Sequence, residues 1–96
     1  MKVMIVDDNE KMRSMIKSIL VNTVDSFVEC SDGSEVIAAY DKHHPDWILM
    51  DIVMEEMDGI TATQNLMQSY SEAKIIIVTQ YNDADLREKA INAGAV

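Results

Sequence analysis

Three apolar runs in this chain each stop abruptly on side chains that can do chemistry. Lys2 to Val6 runs into Asp7 and Asp8, Trp47 to Met50 into Asp51, and Ile75 to Val78 into Thr79. Carboxylates gathered in one place repel: two unit charges about 4 Å apart cost roughly 4 kcal/mol at an effective dielectric of about 20. Such a cluster either holds a raised pKa or takes a cation. Mg2+ suits it, being a hard ion that prefers oxygen, binds through one or two carboxylates and keeps several waters. A carboxylate at a strand end can also act as a nucleophile and form an aspartyl phosphate, because phosphoryl transfer asks mainly for positioning and electrostatic stabilisation. Thr79 could then donate its hydroxyl to a phosphoryl oxygen, and a hydroxyl that turns toward new negative charge can switch a conformation. Taken singly, each residue has a plainer reading. Paired aspartates after a strand cap helices, a lone aspartate sits in a turn, and a lone threonine says little. Their recurrence at successive strand ends is what favours a pocket.

The elements that must bring these groups together follow from hydrophobic periodicity. Lys2 to Val6 is continuously apolar and β-branched after its lysine, the pattern of a strand buried on both faces of a parallel sheet. Asn9 can cap a helix in which Met12, Met15, Ile16, Ile19 and Leu20 recur at helical spacing. Ser26 to Cys30 reads as a weaker strand, and Asp32 with Glu35 as a capping box for a helix burying Val36, Ile37 and Tyr40. Pro45 closes that region before the strand Trp47 to Met50. Gly59 precedes a helix through Ile60, Thr63, Met67 and Tyr70, and Ile75 to Val78 is the most strand-like segment. A last helix, capped by Asn82 or Asp83, carries Leu86 and Ala90 and is closed by Gly94. Four β-α units predict parallel strands, right-handed crossovers and helices on both faces, with ligands at the carboxyl ends of the strands.

Composition narrows the possibilities. Ninety-six residues suit one domain spanning 1–96, and the formal charge of -9 disfavours nucleic acid and anionic membranes, which need a cationic face. A single cysteine, Cys30, forms no internal disulfide and fits a reducing compartment; with no signal-peptide core and no apolar span of about 20 residues, a cytoplasmic location is expected. His43 and His44 read as helix-end residues, Trp47 as a packing residue, and the eight methionines as core filler.

In order along the chain, Val3-Met4-Ile5-Val6-Asp7-Asp8-Asn9, Asp32-Gly33-Ser34-Glu35-Val36, Pro45 through Met54, Met57-Asp58-Gly59, Ile75 through Thr79 and Ala93-Gly94-Ala95 resemble the receiver domains of two-component response regulators. The resemblance implies an α/β, flavodoxin-like, doubly wound parallel sheet with strand order 2-1-3-4, to which the family adds a fifth strand. It implies Asp51 as phosphoacceptor and Thr79 as switch hydroxyl. Asp8 would bind Mg2+ directly and Asp7 largely through water, with the Val53 backbone carbonyl a further contact. The implied partner is a sensor histidine kinase or phosphotransfer domain, and the implied role is a signalling switch rather than an enzyme acting on a separate substrate.

Two departures carry expectations. Glu55 stands where most members have proline. The family pattern also continues beyond Ala95 into a fifth strand with an aromatic and a lysine, then a fifth helix, so the chain reads as a C-terminally truncated receiver; Lys74 and Lys89 do not replace that lysine. Truncation predicts a poor phosphoryl acceptor and an exposed fourth strand that favours an edge-paired or segment-swapped homodimer. Val53 and Tyr81 match the family's tuning sites and predict slow self-hydrolysis in the full-length form. The rival readings are an interaction or dimerisation module with an inactive pocket, and an aspartate-nucleophile phosphatase. The latter needs a general-acid aspartate where Val53 stands.

Overall fold

The structure is a computed structural model that describes residues 1–54, 56–79 and 83–96. Its elements alternate: β1 (Lys2–Val6), α1 (Glu10–Leu20), β2 (Ser26–Cys30), α2 (Val36–His43), β3 (Trp47–Met50), α3 (Gly59–Ser69), β4 (Ile75–Ile77) and α4 (Ala84–Ala93). All pairings are parallel and the sheet order is β2-β1-β3-β4, as the resemblance implies.

The unbroken apolar character of β1 follows from burial on both faces. Met4 and Val6 point into a core with Val36, Tyr40, Ile48, Met50, Leu66 and Ile75, under α2 and α3. Val3 and Ile5 point the other way, toward Ile16 and Val24, with Met12 and Leu20 of α1 packed alongside. α4 packs against α3. One face is thus broadly covered, whereas α1 is the helix that packs on the other.

Burial is uneven along the helices. Ile16 is buried, but Met15 is 50% and Ile19 70% exposed. Ile37 on α2 is 39% exposed, so Val36 and Tyr40 alone form its buried stripe. β4 ends at Ile77, one residue earlier than the apolar run suggests.

The caps show how the sequence punctuates these elements. Asn9 accepts from the Met12 N–H at 3.1 Å, Asp58 from Thr61 at 2.8 Å, and Asp83 from Asp85 at 2.8 Å, each satisfying an orphan donor of a first turn. Asn82, the other candidate cap, lies outside the described residues, as do Glu55 and Tyr81. His44 ends α2 in the left-handed region at φ 46°, and Gly94 ends α4 at φ 119°. The expected capping box opens differently: Asp32 accepts from Ser34, and Glu35 reaches back to the Ser31 N–H, beside a 3-10 turn at Gly33–Glu35.

Candidate functional site

Strand register builds the site. Val6 is paired with Met50 across β1 and β3, so the next residues, Asp7 and Asp51, emerge side by side where neighbouring strands lie about 4.8 Å apart. The ladder runs one step past each strand: Asp51 N–H donates to the Val6 carbonyl at 2.9 Å, Asp7 N–H to Cys30 at 3.0 Å, and Val78 N–H to Met50 at 2.8 Å. Those bonds fix the starting points of the loops. Asp8 follows from the β1–α1 turn, which the Asn9 N–H stiffens by donating to Asp7 Oδ1 at 2.8 Å.

The outcome is a carboxylate cluster. One oxygen each of Asp7, Asp8 and Asp51 lie within 4.8 Å of one another, Asp7 buried, Asp51 half-buried and Asp8 exposed. Together with Val53 and Thr79 they line one open cavity of about 390 Å³. The five residues singled out from sequence therefore meet around a single space.

Burial pushes the Asp51 carboxyl above its ordinary range, and the charges of Asp7 and, less strongly, Asp8 push it the same way. The N–H groups of Ile52 and Val53 oppose this, Ile52 donating to Oδ1 at 2.9 Å. Two neighbouring anions outweigh two backbone dipoles, so the site favours a proton or a cation.

A divalent ion fits the donor set. Oxygens at opposite corners of a Mg2+ octahedron lie about 4.2 Å apart, from metal–oxygen distances of about 2.1 Å. Adjacent corners lie about 3.0 Å apart, so oxygens within 4.8 Å of one another must draw together, by up to about 1.8 Å at that limit, to share the ion directly, or else reach it through water. Hard oxygen donors with three negative charges and open water on one side match that ion better than a thiophilic metal.

Two residues support the site in ways the sequence did not reveal. Gly59 opens α3 directly against Asp51: a Cβ there would collide with the Asp51 carbonyl oxygen, and the Gly59 N–H donates to Ile52 at 2.7 Å. The glycine was visible, but its close approach is a tertiary fact. Asp32 looked like a helix cap, yet its second oxygen accepts from the Glu56 N–H at 2.9 Å and ties down the loop after Asp51. The Ser34 N–H, then the Glu56 N–H, hold its carboxyl below the usual range.

The model of the response regulator receiver domain family matches residues 3–96. The chain belongs to this family. The receiver domain is 41% identical over 95 residues to the chemotaxis protein CheY of Bacillus subtilis, covering 98% of this chain and 79% of that protein. It is also 41% identical over 97 residues to the transcriptional regulatory protein LiaR of the same organism, covering 99% of this chain but 46% of LiaR. Among solved structures, the receiver domain is similar to one of the CheX–CheY–BeF3–Mg2+ complex from Borrelia burgdorferi, with TM-score 0.88 and 27% identity over 98% of this chain and 72% of that one. A LuxR-family two-component response regulator from Aurantimonas sp. SI85-9A1 gives TM-score 0.91 and 29% identity, over 98% and 69% of the two chains. Receiver domains are signalling domains. Among the described residues, no helix is long and apolar enough to cross a membrane.

Proposed function

We propose that this receiver domain accepts a phosphoryl group on Asp51 from the phosphohistidine of a sensor histidine kinase or phosphotransfer domain, in a reaction that depends on Mg2+. The meeting of three carboxylates within 4.8 Å at adjacent strand ends carries this reading. Asp8 and Asp51 would hold the ion directly, Asp7 largely through water, with the Val53 carbonyl as a further donor. The ion, when bound, offsets negative charge on the group in transfer. The Asp51 oxygen attacks phosphorus as the P–N bond to the donor imidazole breaks; the imidazole nitrogen takes its proton from solvent and an acyl phosphate remains. The Thr79 hydroxyl, on the same cavity, would donate to a phosphoryl oxygen and carry the change into the β4–α4 region. Such a switch would operate in the cytoplasm, where its donors reside.

Incubation with acetyl phosphate and Mg2+, read by intact-mass spectrometry, tests this. The expected result is a low-yield mass increase of one phosphoryl group, in keeping with a poor acceptor, that requires Mg2+ and is absent from Asp51→Asn. Modification of Asp51→Asn equal to that of the wild type would refute the assignment.

One observation favours a second role as a self-association module. A groove of about 480 Å³ lies between the end of β4 and α4, lined by apolar Ile77, Leu86, Ala90, Ile91 and Val96 together with Thr79, Asp83 and Arg87. We propose that a second copy docks there, beside the bond that the Val96 N–H makes to the Ile75 carbonyl at 2.9 Å. A monodisperse monomer in light scattering at high concentration would defeat the idea.

A further inference from the structure

The loop bearing Asp7 and Asp8 is fastened by a side chain outside the carboxylate cluster. Arg13, in α1, reaches back past the helix start, and its Nη1 donates to the Asp7 backbone carbonyl at 2.5 Å. Its Nε donates to Glu29 Oε1 on β2 at 3.0 Å, while the other Glu29 oxygen accepts from Lys17 at 2.9 Å. The Arg13 side chain is only 15% exposed. A guanidinium presents donors in a rigid planar fork, so one side chain can grip a carboxylate and a carbonyl at once.

The gripped carbonyl belongs to the peptide joining Asp7 to Asp8, one step beyond the last residue of β1. The plane of that peptide sets the direction in which the Asp8 side chain leaves the backbone. We propose that Arg13, itself held by Glu29, is a positioning residue for the divalent-cation pocket: it fixes the Asp7–Asp8 peptide so that the Asp8 carboxylate stays beside Asp51. The proposal rests on the reading of Asp7, Asp8 and Asp51 as the cation-binding set.

Charge and position make opposite predictions here. A positive group near a cation pocket disfavours the ion, so deleting Arg13 would tighten Mg2+ binding if charge were its whole effect. Deleting a group that orients a ligand weakens binding, typically by 10- to 100-fold for supporting residues of metal sites. The contact itself is positional, since Arg13 bonds the Asp7 backbone carbonyl and the Glu29 carboxylate, which lies outside the cluster.

Calorimetric titration of the full chain with Mg2+ separates the cases. Arg13→Ala should weaken binding by about ten-fold, Arg13→Lys should recover part of the loss, and Glu29→Ala should weaken binding less than Arg13→Ala. Lys17→Met also removes an ion pair to Glu29 but leaves the Asp7 carbonyl gripped, and its affinity should match the wild type. Equal or tighter Mg2+ binding by Arg13→Ala overturns the proposal. Should that variant fail to fold, Glu29→Ala decides, and an affinity equal to wild type overturns it. Asp51→Asn is the control for the underlying reading: if it binds Mg2+ as the wild type does, the cation pocket falls and Arg13's role with it. If Asp51 is required while Arg13 is not, only the positioning role falls.

Discussion

Asp51→Asn should make the metal-free protein more stable at neutral pH, although it removes the residue on which function is proposed to depend. Burial and the charges of Asp7 and Asp8 raise the Asp51 pKa, so the ionised carboxylate is less comfortable in the fold than in the unfolded chain. At the 4.8 Å limit of the cluster, one neighbouring charge costs about 3 kcal/mol at an effective dielectric of about 20. Asp8 is exposed and Asp51 only half-buried, so solvent screening reduces the net gain on neutralisation to about 1–2 kcal/mol. Asparagine keeps an oxygen for the Ile52 N–H, and little is lost in exchange. For a domain of this size the gain corresponds to a melting temperature higher by about 5–15 °C. The pH dependence has a definite sign. A raised folded pKa contributes stability that is fully present below the unfolded value of about 4 and is lost as pH rises through the folded value. The variant's advantage should therefore be full near pH 7 and shrink as pH falls toward 4. The assay is thermal melting by circular dichroism in EDTA from pH 4 to 8, repeated with Mg2+. At ten-fold excess over its Kd the ion should stabilise the wild type by about 1.4 kcal/mol, and the variant less. A variant melting at or below the wild type in EDTA at pH 7, or an advantage independent of pH, would refute the electrostatic account.

Gly59→Ala should destabilise the fold by about 1–3 kcal/mol, because backbone rather than a flexible side chain must yield, and should weaken Mg2+ binding as Asp51 shifts; urea melts and calorimetry check both. Asp32→Ala should lower the melting temperature at pH 7. Because the folded pKa of Asp32 is depressed, its contribution is present above the unfolded value and lost as pH falls through the folded one, so the deficit should vanish in acid. Cys30 is 2% exposed and its thiol is pushed up to about 11, chiefly by burial, so an aromatic disulfide reagent at pH 8 should leave it unmodified until urea unfolds the chain.

Features governed by local periodicity were legible in the sequence. The continuous run of β1, the 3.6-residue spacing of α3 and the aspartate and asparagine caps each depend on a few adjacent residues, and they appear where the pattern puts them. The cluster was legible because parallel register is forced: once two buried strands align, the residues after Val6 and Met50 must emerge together. Coverage was legible only in part. Ile37 was expected in the buried stripe of α2 yet is 39% exposed, because which face of a helix is covered depends on the other layers of the fold. The second bond of Asp32 joins residues 24 apart in the chain, and the reach of Arg13 to the Asp7 carbonyl crosses the β1–α1 turn, so no spacing rule encodes either.

The central claim is tested most directly by a crystal structure with Mg2+ and beryllofluoride. The account predicts beryllofluoride on an Asp51 oxygen, with one Mg2+ held between Asp8, Asp51 and the Val53 carbonyl and the Thr79 hydroxyl turned toward a fluorine. An Asp51 without the adduct, or an ion bound away from Asp8 and Asp51, would contradict it.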